Sequence, residues 1–238
     1  LVLPIEPLVQ ELRGRGVETL VDGAHAPGML PLELDALGAA YYTGNLHKWV
    51  CAPKGAAFLH VRRDLQASLR PLVISHGANS TRIDRSRFRL EADWIGTLDP
   101  SPWLAIPAAL DFVRNVVPGG LHGLREHNRD LVLAGRELLC GALGIDAPAP
   151  ASMIGSLASV PLPGVELESE ANGAWKDPLH RALLERNIEV PTMFWPAPPA
   201  RLLRISAQAY NQRAQYERLA EAMDDWAPLD AALVRLGL

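Results

Sequence analysis

Short apolar runs alternate with helical segments through the first part of this sequence, and that alternation limits the possible folds more than any other feature. Apolar runs of strand length lie at 17–21, 39–43 and 55–61. Apolar residues at helical spacing cover 5–14 and 32–37. Strands that alternate with helices pack as an α/β layer around a largely parallel sheet. We therefore predict an α/β fold for this region.

The later part of the sequence has longer helices and fewer strands. Two long helices are predicted at 102–117 and 121–143, on either side of a Pro-Gly-Gly break. A small α+β unit is predicted after them, with a strand at 156–162, a helix at 177–187, strands at 188–194 and 202–206, and closing helices from Asn211. These patterns predict two domains, residues 1–118 and residues 119–238.

Charge and composition exclude several classes of function. The chain has 23 basic and 27 acidic residues, a net charge of −4, and therefore no field that attracts nucleic acid or an anionic membrane. No apolar run approaches the roughly 20 residues that span a bilayer, and the first residues lack the pattern of a signal peptide. Acidic residues are interleaved with Arg82, Arg85, Arg87 and Arg89, which indicates a solvated loop or a dimer contact. We expect a cytoplasmic protein without nucleic-acid or membrane partners.

Residues with useful chemistry concentrate in two segments that follow predicted strands: DGAHAPG from Asp22 and YYTGNLHKWVCAPKG from Tyr41. Ligands of α/β sheets gather at the carboxyl ends of strands. Asp22 closes an apolar run and is either a turn residue or a pocket carboxylate. Lys48 lies between a histidine and a tryptophan. It is therefore a candidate Schiff-base amine, although a lysine that extends its stem over the surface is a common alternative.

These segments, together with WIGTLDPS from Trp94 and RLLRISAQAYN from Arg201, resemble the class V aminotransferase family. Members of that family are fold type I enzymes that use pyridoxal 5′-phosphate (PLP). The first two segments are most similar to its isopenicillin N epimerase-like branch, which is similar to the hercynylcysteine sulfoxide lyases. The resemblance implies the C-terminal portion of such an enzyme: part of the large PLP-binding domain, with a mostly parallel sheet, and a small α+β domain.

The resemblance also implies roles for individual residues. Lys48 would form the Schiff base with PLP and then move the α-proton of the substrate. Asp22 would pair with the protonated pyridine nitrogen and keep the ring an electron sink. His25 would lie beside the phenolic oxygen of the ring, and Arg204 would bind the α-carboxylate of the substrate. The implied phosphate contacts are Thr43, Asn45 and His47, with Gly96 and Thr97 reaching the phosphate of the neighbouring subunit.

A phosphate contact from a neighbouring subunit implies a homodimer with shared active sites, and the family implies an amino-acid-like substrate. Epimerisation, cleavage of a C–S bond and transamination remain open. We favour an epimerase-like or lyase-like enzyme that acts on an amino acid or a small peptide. A cysteine desulfurase needs a mobile cysteine on a loop of the small domain, where neither Cys51 nor Cys140 is predicted. The alternative outside the enzymes is a non-catalytic dimerising fragment of the same fold.

Overall fold

The computed structural model describes residues 1–163 and 177–236, with the backbone alone from residue 225. Two compact units divide the chain. One comprises Pro4–Asn115, and the other comprises Val116–Leu238 together with Leu1–Leu3. The boundary predicted from the sequence lies between residues 118 and 119, whereas the first unit ends at Asn115 and the second includes Leu1–Leu3.

The first unit contains a three-stranded sheet in the order β1-β2-β3. Its helices and strands are α1 (Ile5–Gly14), β1 (Leu20–Asp22), α2 (Leu34–Leu37), β2 (Tyr41–Asn45), β3 (Ala57–Val61), α3 (Arg87–Ala92), α4 (Ser101–Leu104) and α5 (Ile106–Asn115). Strands β1 and β2 are parallel, with Asp22 aligned with Thr43. The carboxyl ends of these two strands therefore meet at one edge of the sheet, as the sequence predicts.

Strand β3 departs from the expected parallel arrangement. It runs antiparallel to β2, with Asn45 opposite Ala57. A parallel connection needs a crossover of about a dozen residues or more, usually a helix. Residues 46–56 contain turns and no helix, so the chain returns beside β2 in the opposite direction. The α/β class is confirmed, and the sheet that the structure describes has one parallel and one antiparallel pairing.

The single helix predicted at 102–117 is two helices, α4 and α5. Pro107 lies at the start of α5 and has no amide hydrogen to donate to the carbonyl group of Trp103. Its ring would also clash with that carbonyl group in a continuous helix. The two helices therefore meet at Ala105 rather than forming one rod.

The second unit packs two long helices on an antiparallel sheet of order β4-β6-β5. Its helices and strands are α6 (Gly120–Leu143), β4 (Leu157–Leu162), α7 (Pro178–Glu185), β5 (Thr192–Phe194), β6 (Arg201–Ser206) and α8 (Arg213–Leu236). One apolar core joins the helices to the sheet, and its buried residues include Val132, Leu139, Val160, Leu203, Ile205, Leu219 and Met223. The prediction of a small α+β unit is confirmed, with α8 as one continuous helix.

Strand β5 is shorter than the predicted strand at 188–194. Asn187 adopts a left-handed conformation with φ 56°, and the amide of Ile188 donates to the carbonyl group of Leu183 over 2.9 Å. This arrangement ends α7 in the usual way for a helix C-terminus. The chain enters the sheet only at Thr192.

A buried ion pair links α7 to β6 in the second unit. Arg201 donates to Oδ1 of Asp177 over 2.8 Å, and the two side chains are 1% and 3% exposed. The same Oδ1 accepts the amide hydrogen of Leu179 at 2.9 Å, so Asp177 also caps α7. Arg201 donates further to the carbonyl group of Pro163. Both charges are thus paired and hydrogen-bonded inside the unit.

Among the helices of the described ranges, none combines the length and the apolar character that crossing a membrane requires.

Candidate active site

Two polar segments begin at the same edge of the first unit's sheet. We call residues 22–30 the aspartate segment and residues 45–54 the lysine segment. The amide of Gly23 donates to the carbonyl group of Thr43 over 3.0 Å, which extends the pairing of β1 and β2 by one bond. Asn45 ends β2, and Lys48 follows it three residues later. Both segments therefore begin where ligands of such sheets bind.

The two segments pack directly against each other. Gly28 has φ 84°, and a Cβ atom there would lie 2.9 Å from the carbonyl carbon of Trp49 and 3.0 Å from the amide nitrogen of Val50. Only glycine permits both this conformation and this close approach. The indole N–H of Trp49 donates to Nδ1 of His25 over 3.2 Å. A backbone contact and a side-chain hydrogen bond thus hold the aspartate segment on the lysine segment.

Asp22 has the turn role, one of the two roles that the sequence left open. Its Oδ1 accepts the amide hydrogen of Ala24 at 3.0 Å, which is the geometry of an Asx turn. Its Oδ2 has no hydrogen-bond partner among the described residues. The carboxylate is exposed at the edge of the sheet, so one of its oxygens is available to a ligand.

Tyr42 supports the turn of Asp22 from the sheet side. It is 3% exposed, and a Cβ atom on Gly23 would lie 2.0 Å from its hydroxyl oxygen. Its ring stacks on that of Phe58 with centroids 6.3 Å apart. Burial raises the pKa of Tyr42, and the negative charge of Asp22 raises it further. Tyr42 therefore remains a neutral support beneath Gly23.

Lys48 is half-buried and carries a positive charge that no described residue balances. Its Nζ makes neither a hydrogen bond nor a salt bridge within the described ranges, whereas its carbonyl group accepts the amide hydrogen of Cys51 in a turn. Lys54, in the same segment, is exposed. A half-buried amine without a carboxylate partner is available to an electrophilic ligand.

The residues assigned to a phosphate group lie on and just after β2. Nδ1–H of His47 donates to the carbonyl group of Ala56 over 3.0 Å. The side chains of Thr43 and Asn45 are half-buried and form no hydrogen bond with any residue that the structure describes. A hydroxyl and an amide thus occur together with the imidazole of His47 at this edge, and the hydroxyl and the amide can each donate to an anionic oxygen.

Gly96 and Thr97 line a different part of the first unit. They contribute to an open cleft of about 480 Å³, whose other polar and aromatic lining residues are Ser75, His76, Asn79 and Trp94. Ser75 donates to the carbonyl group of Trp94 over 2.5 Å, which ties the two sides of the cleft together. Neither the aspartate segment nor the lysine segment lines this cleft.

Arg204 belongs to the second unit. It lies on β6 opposite Ser159 of β4, and its amide donates to the carbonyl group of Pro191 over 3.0 Å. Its side chain is half-buried, and its guanidinium has no acidic partner among the described residues. An unpaired guanidinium of this kind suits a carboxylate ligand.

The structure therefore groups most of the predicted site residues on one sheet edge: Asp22, His25, Thr43, Asn45, His47 and Lys48. Gly96 and Thr97 lie in the separate cleft, and Arg204 lies in the other unit. Sequence reasoning missed the contacts of Trp49 and Tyr42 with the aspartate segment. The signals that could have found them are an aromatic residue directly after the lysine and glycines facing an aromatic strand.

Comparison with known proteins shows which family this chain resembles. The family model described as Aminotransferase class-V matches residues 1–219. The chain is 38% identical to an isopenicillin N epimerase from Amycolatopsis lactamdurans, over 94% of this chain and 56% of that protein. It is 34% identical to a putative L-cysteine desulfhydrase 2 from Oryza sativa subsp. japonica, over 93% of this chain and 49% of that protein.

The fold is shared with solved structures as well. A mutant of C-DES that carries glycine covalently linked to its PLP cofactor matches with a TM-score of 0.68 and 21% identity, over 94% of this chain and 57% of that chain. The chain thus spans about half the length of the proteins that it matches. The family expected from the sequence is confirmed: this chain belongs to the class V aminotransferase family.

Proposed function

We propose that this chain is the cofactor-holding part of a PLP-dependent enzyme that acts at the α-carbon of an amino acid or a small peptide. The observation that carries the proposal is the packing of the aspartate segment on the lysine segment, at the carboxyl ends of two parallel strands. Similarity to an epimerase and to an L-cysteine desulfhydrase favours epimerisation or cleavage of a C–S bond over transamination.

The side chains at this edge suit the functional groups of PLP. The cofactor has an aldehyde, a pyridine nitrogen, a phenolic oxygen and a phosphate. Lys48 offers an unpaired amine, and Asp22 offers a carboxylate oxygen without a described partner. His25 belongs to the aspartate segment and accepts the indole N–H of Trp49 from the lysine segment. The uncommitted donors of Thr43 and Asn45 fit a phosphate.

In this proposal each residue has a defined task. PLP, when bound, supplies the electron sink that stabilises negative charge at the α-carbon of the substrate. Asp22 holds a proton on the pyridine nitrogen by its negative charge. Lys48 anchors the cofactor and then moves the α-proton. The unpaired guanidinium of Arg204 supports its assignment to the substrate carboxylate.

The thiols of the chain give no support to a desulfurase. Cys140 is buried in α6, and burial raises the pKa of its thiol, which disfavours the nucleophilic thiolate. Cys51 lies in the lysine segment itself, not on a loop of the second unit. Epimerisation and elimination can be separated by their products. Elimination from cysteine releases sulfide, whereas epimerisation inverts the configuration at the α-carbon without net cleavage.

A homodimer with shared sites is part of the same proposal. Gly96 and Thr97 lie in a cleft that the aspartate and lysine segments do not line. This position supports a phosphate contact in the site of the neighbouring subunit. Mixing Lys48→Ala with Thr97→Ala subunits would then place one intact site in each mixed dimer. With random exchange, about a quarter of the parent's PLP sites should return. No recovery in mixed dimers would contradict the sharing.

The direct test is the absorbance spectrum of the purified chain with added PLP. We expect a Schiff-base band that is lost in Lys48→Ala and retained in Lys54→Ala, the matched control in the same segment. Denaturant unfolding of both variants checks that the fold is intact. Absence of a band that depends on Lys48 would overturn the proposal for this chain and favour the non-catalytic alternative.

A further inference from the structure

The two histidines of the candidate site form opposite kinds of hydrogen bond through the same ring atom. Nδ1 of His25 lies 3.2 Å from Nε1 of Trp49, and an indole N–H can only donate. Nδ1 of His47 lies 3.0 Å from the carbonyl oxygen of Ala56, which can only accept. Nδ1 therefore carries no hydrogen in His25 but carries one in His47.

A neutral imidazole has one ring hydrogen, so each bond also fixes the state of the other nitrogen. His25 must carry its hydrogen on Nε2, and His47 must keep a lone pair on Nε2. The structure assigns Trp49 and the Ala56 carbonyl group as positioning groups that hold the two histidines in opposite tautomers. His25 then keeps its ring hydrogen on Nε2, and His47 gains a proton at Nε2 when it binds a phosphate.

The difference matches the two ends of PLP, and to that extent the inference rests on the proposed function. The phenolic oxygen of the ring needs a donor, and the N–H at Nε2 of His25 is a donor of that kind. A phosphate also needs a donor, which His47 lacks at Nε2 until it takes a proton from the solvent. Once protonated, His47 keeps one N–H on Ala56 and turns the other to the phosphate, as a charge-assisted bond.

Trp49 and the Ala56 carbonyl group act through the histidines. Trp49 is a buried residue of the lysine segment. The amide of His47 also donates to the Ala56 carbonyl group, over 3.2 Å, so that backbone and ring share one acceptor. The other ionisable side chains of the aspartate and lysine segments are Asp22, Lys48, Cys51 and Lys54. They are the same in the variants used below.

Nitrogen NMR on histidine-labelled protein without ligand tests the tautomers, at about pH 8, where histidine is ordinarily neutral. We expect the hydrogen on Nε2 in His25 and on Nδ1 in His47. His180 provides an internal reference for a histidine with its hydrogen on Nδ1, since its Nδ1 lies 3.0 Å from the carbonyl oxygen of Val190. A hydrogen on Nδ1 of His25, or on Nε2 of His47, would overturn the assignment.

Trp49→Phe removes the indole donor while keeping an aromatic ring. We expect His25 to lose its single-tautomer pattern and His47 to keep its own. Trp103→Phe is the matched control, because its indole donates over 3.2 Å to the Ala57 carbonyl group instead. It should leave both histidines unchanged. An unchanged His25 spectrum in folded Trp49→Phe would contradict the positioning role.

Ligand binding tests the remaining step separately from the proposed function. Inorganic phosphate or PLP should convert His47 to the doubly protonated pattern and take up close to one proton per site, measured by calorimetry in two buffers. We also expect Trp49→Phe to weaken PLP binding about three- to tenfold, the range for one neutral hydrogen bond, and Trp103→Phe to leave it unchanged.

The outcomes distinguish the two proposals. A Lys48-dependent PLP band with no protonation of His47 would overturn this inference and leave the proposed function standing. No Lys48-dependent band would remove the function, whereas the ligand-free spectra would still decide the tautomers.

Discussion

The two units of the chain treat a shielded positive charge in opposite ways. In the second unit, Arg201 is almost fully buried and is neutralised by Asp177. In the first unit, Lys48 is half-buried at the end of a strand and has no described acidic partner. Removing a charge from water is unfavourable unless a partner compensates for it. The paired charge of Arg201 is typical of a structural role. The unpaired charge of Lys48 is typical of a side chain that binds a ligand.

Whether a charged side chain has a partner distinguishes a structural role from a functional role more clearly than its burial does. A buried pair stabilises the fold only while both partners are present, because either one alone is a buried unpaired charge. An unpaired lysine contributes little to the fold and is therefore free for chemistry. Substitutions in the two units should consequently affect different measurements: unfolding in one case, cofactor attachment in the other.

The largest loss of stability is expected for Asp177→Ala. This change leaves the buried guanidinium of Arg201 without its carboxylate and removes the cap of α7. We expect the free energy of unfolding, measured with urea, to fall by about 3–5 kcal/mol. Asp84→Ala is the control, since Asp84 and Arg82 form an exposed pair and should contribute nothing measurable. Similar losses in both variants would break the distinction between buried and exposed pairs.

A smaller loss is expected in the first unit for Gly23→Ala. The new methyl group would overlap the buried ring of Tyr42 and force the Asp22 turn to shift. We expect a loss of about 1–3 kcal/mol of unfolding free energy, together with weaker PLP binding. Gly141→Ala is the matched control in α6, where a Cβ atom meets no neighbour within 4 Å. Gly141→Ala should raise the free energy of unfolding by about 0.5–1 kcal/mol. A larger loss of stability in Gly141→Ala than in Gly23→Ala would contradict the packing described for Gly23.

A pH-dependent effect is expected from Tyr216 in the second unit. Burial raises the pKa of Tyr216 to about 12, above the ordinary value near 10. Between these values the unfolded chain loses the phenolic proton while the folded chain keeps it, so the contribution of Tyr216 to stability falls as pH rises. Tyr216→Phe should remove that part of the decline in urea midpoints.

The same substitution removes the hydrogen bond from Tyr216 to the carbonyl group of Ser206. We expect this to lower stability by about 0.5–1.5 kcal/mol at neutral pH. An equally steep decline between about pH 10 and 12 in Tyr216→Phe and in the parent would show that Tyr216 does not cause it.

The smallest effect on stability is expected for Lys48→Ala. Because Lys48 has no described acidic partner, its removal should leave the urea midpoint within error of the parent. A large destabilisation would show that Lys48 is a structural charge like Arg201, and the contrast between the units would fail.

Local patterns predicted much of the fold. Helix α1 occupies Ile5–Gly14, as predicted, because its apolar spacing and the glycine stop are both local. The antiparallel direction of β3 depends on the turns at residues 46–56, which return the chain beside β2. The division between α4 and α5 could have been predicted from Pro107, whose effect the helical spacing concealed.

The residues of the candidate site could be proposed from the sequence, but their contacts could not. Strand ends and the resemblance to a family predict Asp22 and Lys48 as site residues. The bond between Trp49 and His25 joins residues 24 positions apart and depends on how two loops pack. The fit of Tyr42 against Gly23 likewise requires the register of β1 and β2.

The most direct test of the central claim is to locate the covalent attachment of PLP in the chain. The protein would be incubated with PLP, reduced with borohydride, digested and analysed by peptide mass spectrometry. Lys48, Lys54 and Lys176 are the lysines of the sequence. We predict that the reduced adduct lies on Lys48. An adduct on Lys54 or Lys176 with Lys48 unmodified would contradict the assignment of the strand-end segments as the cofactor site.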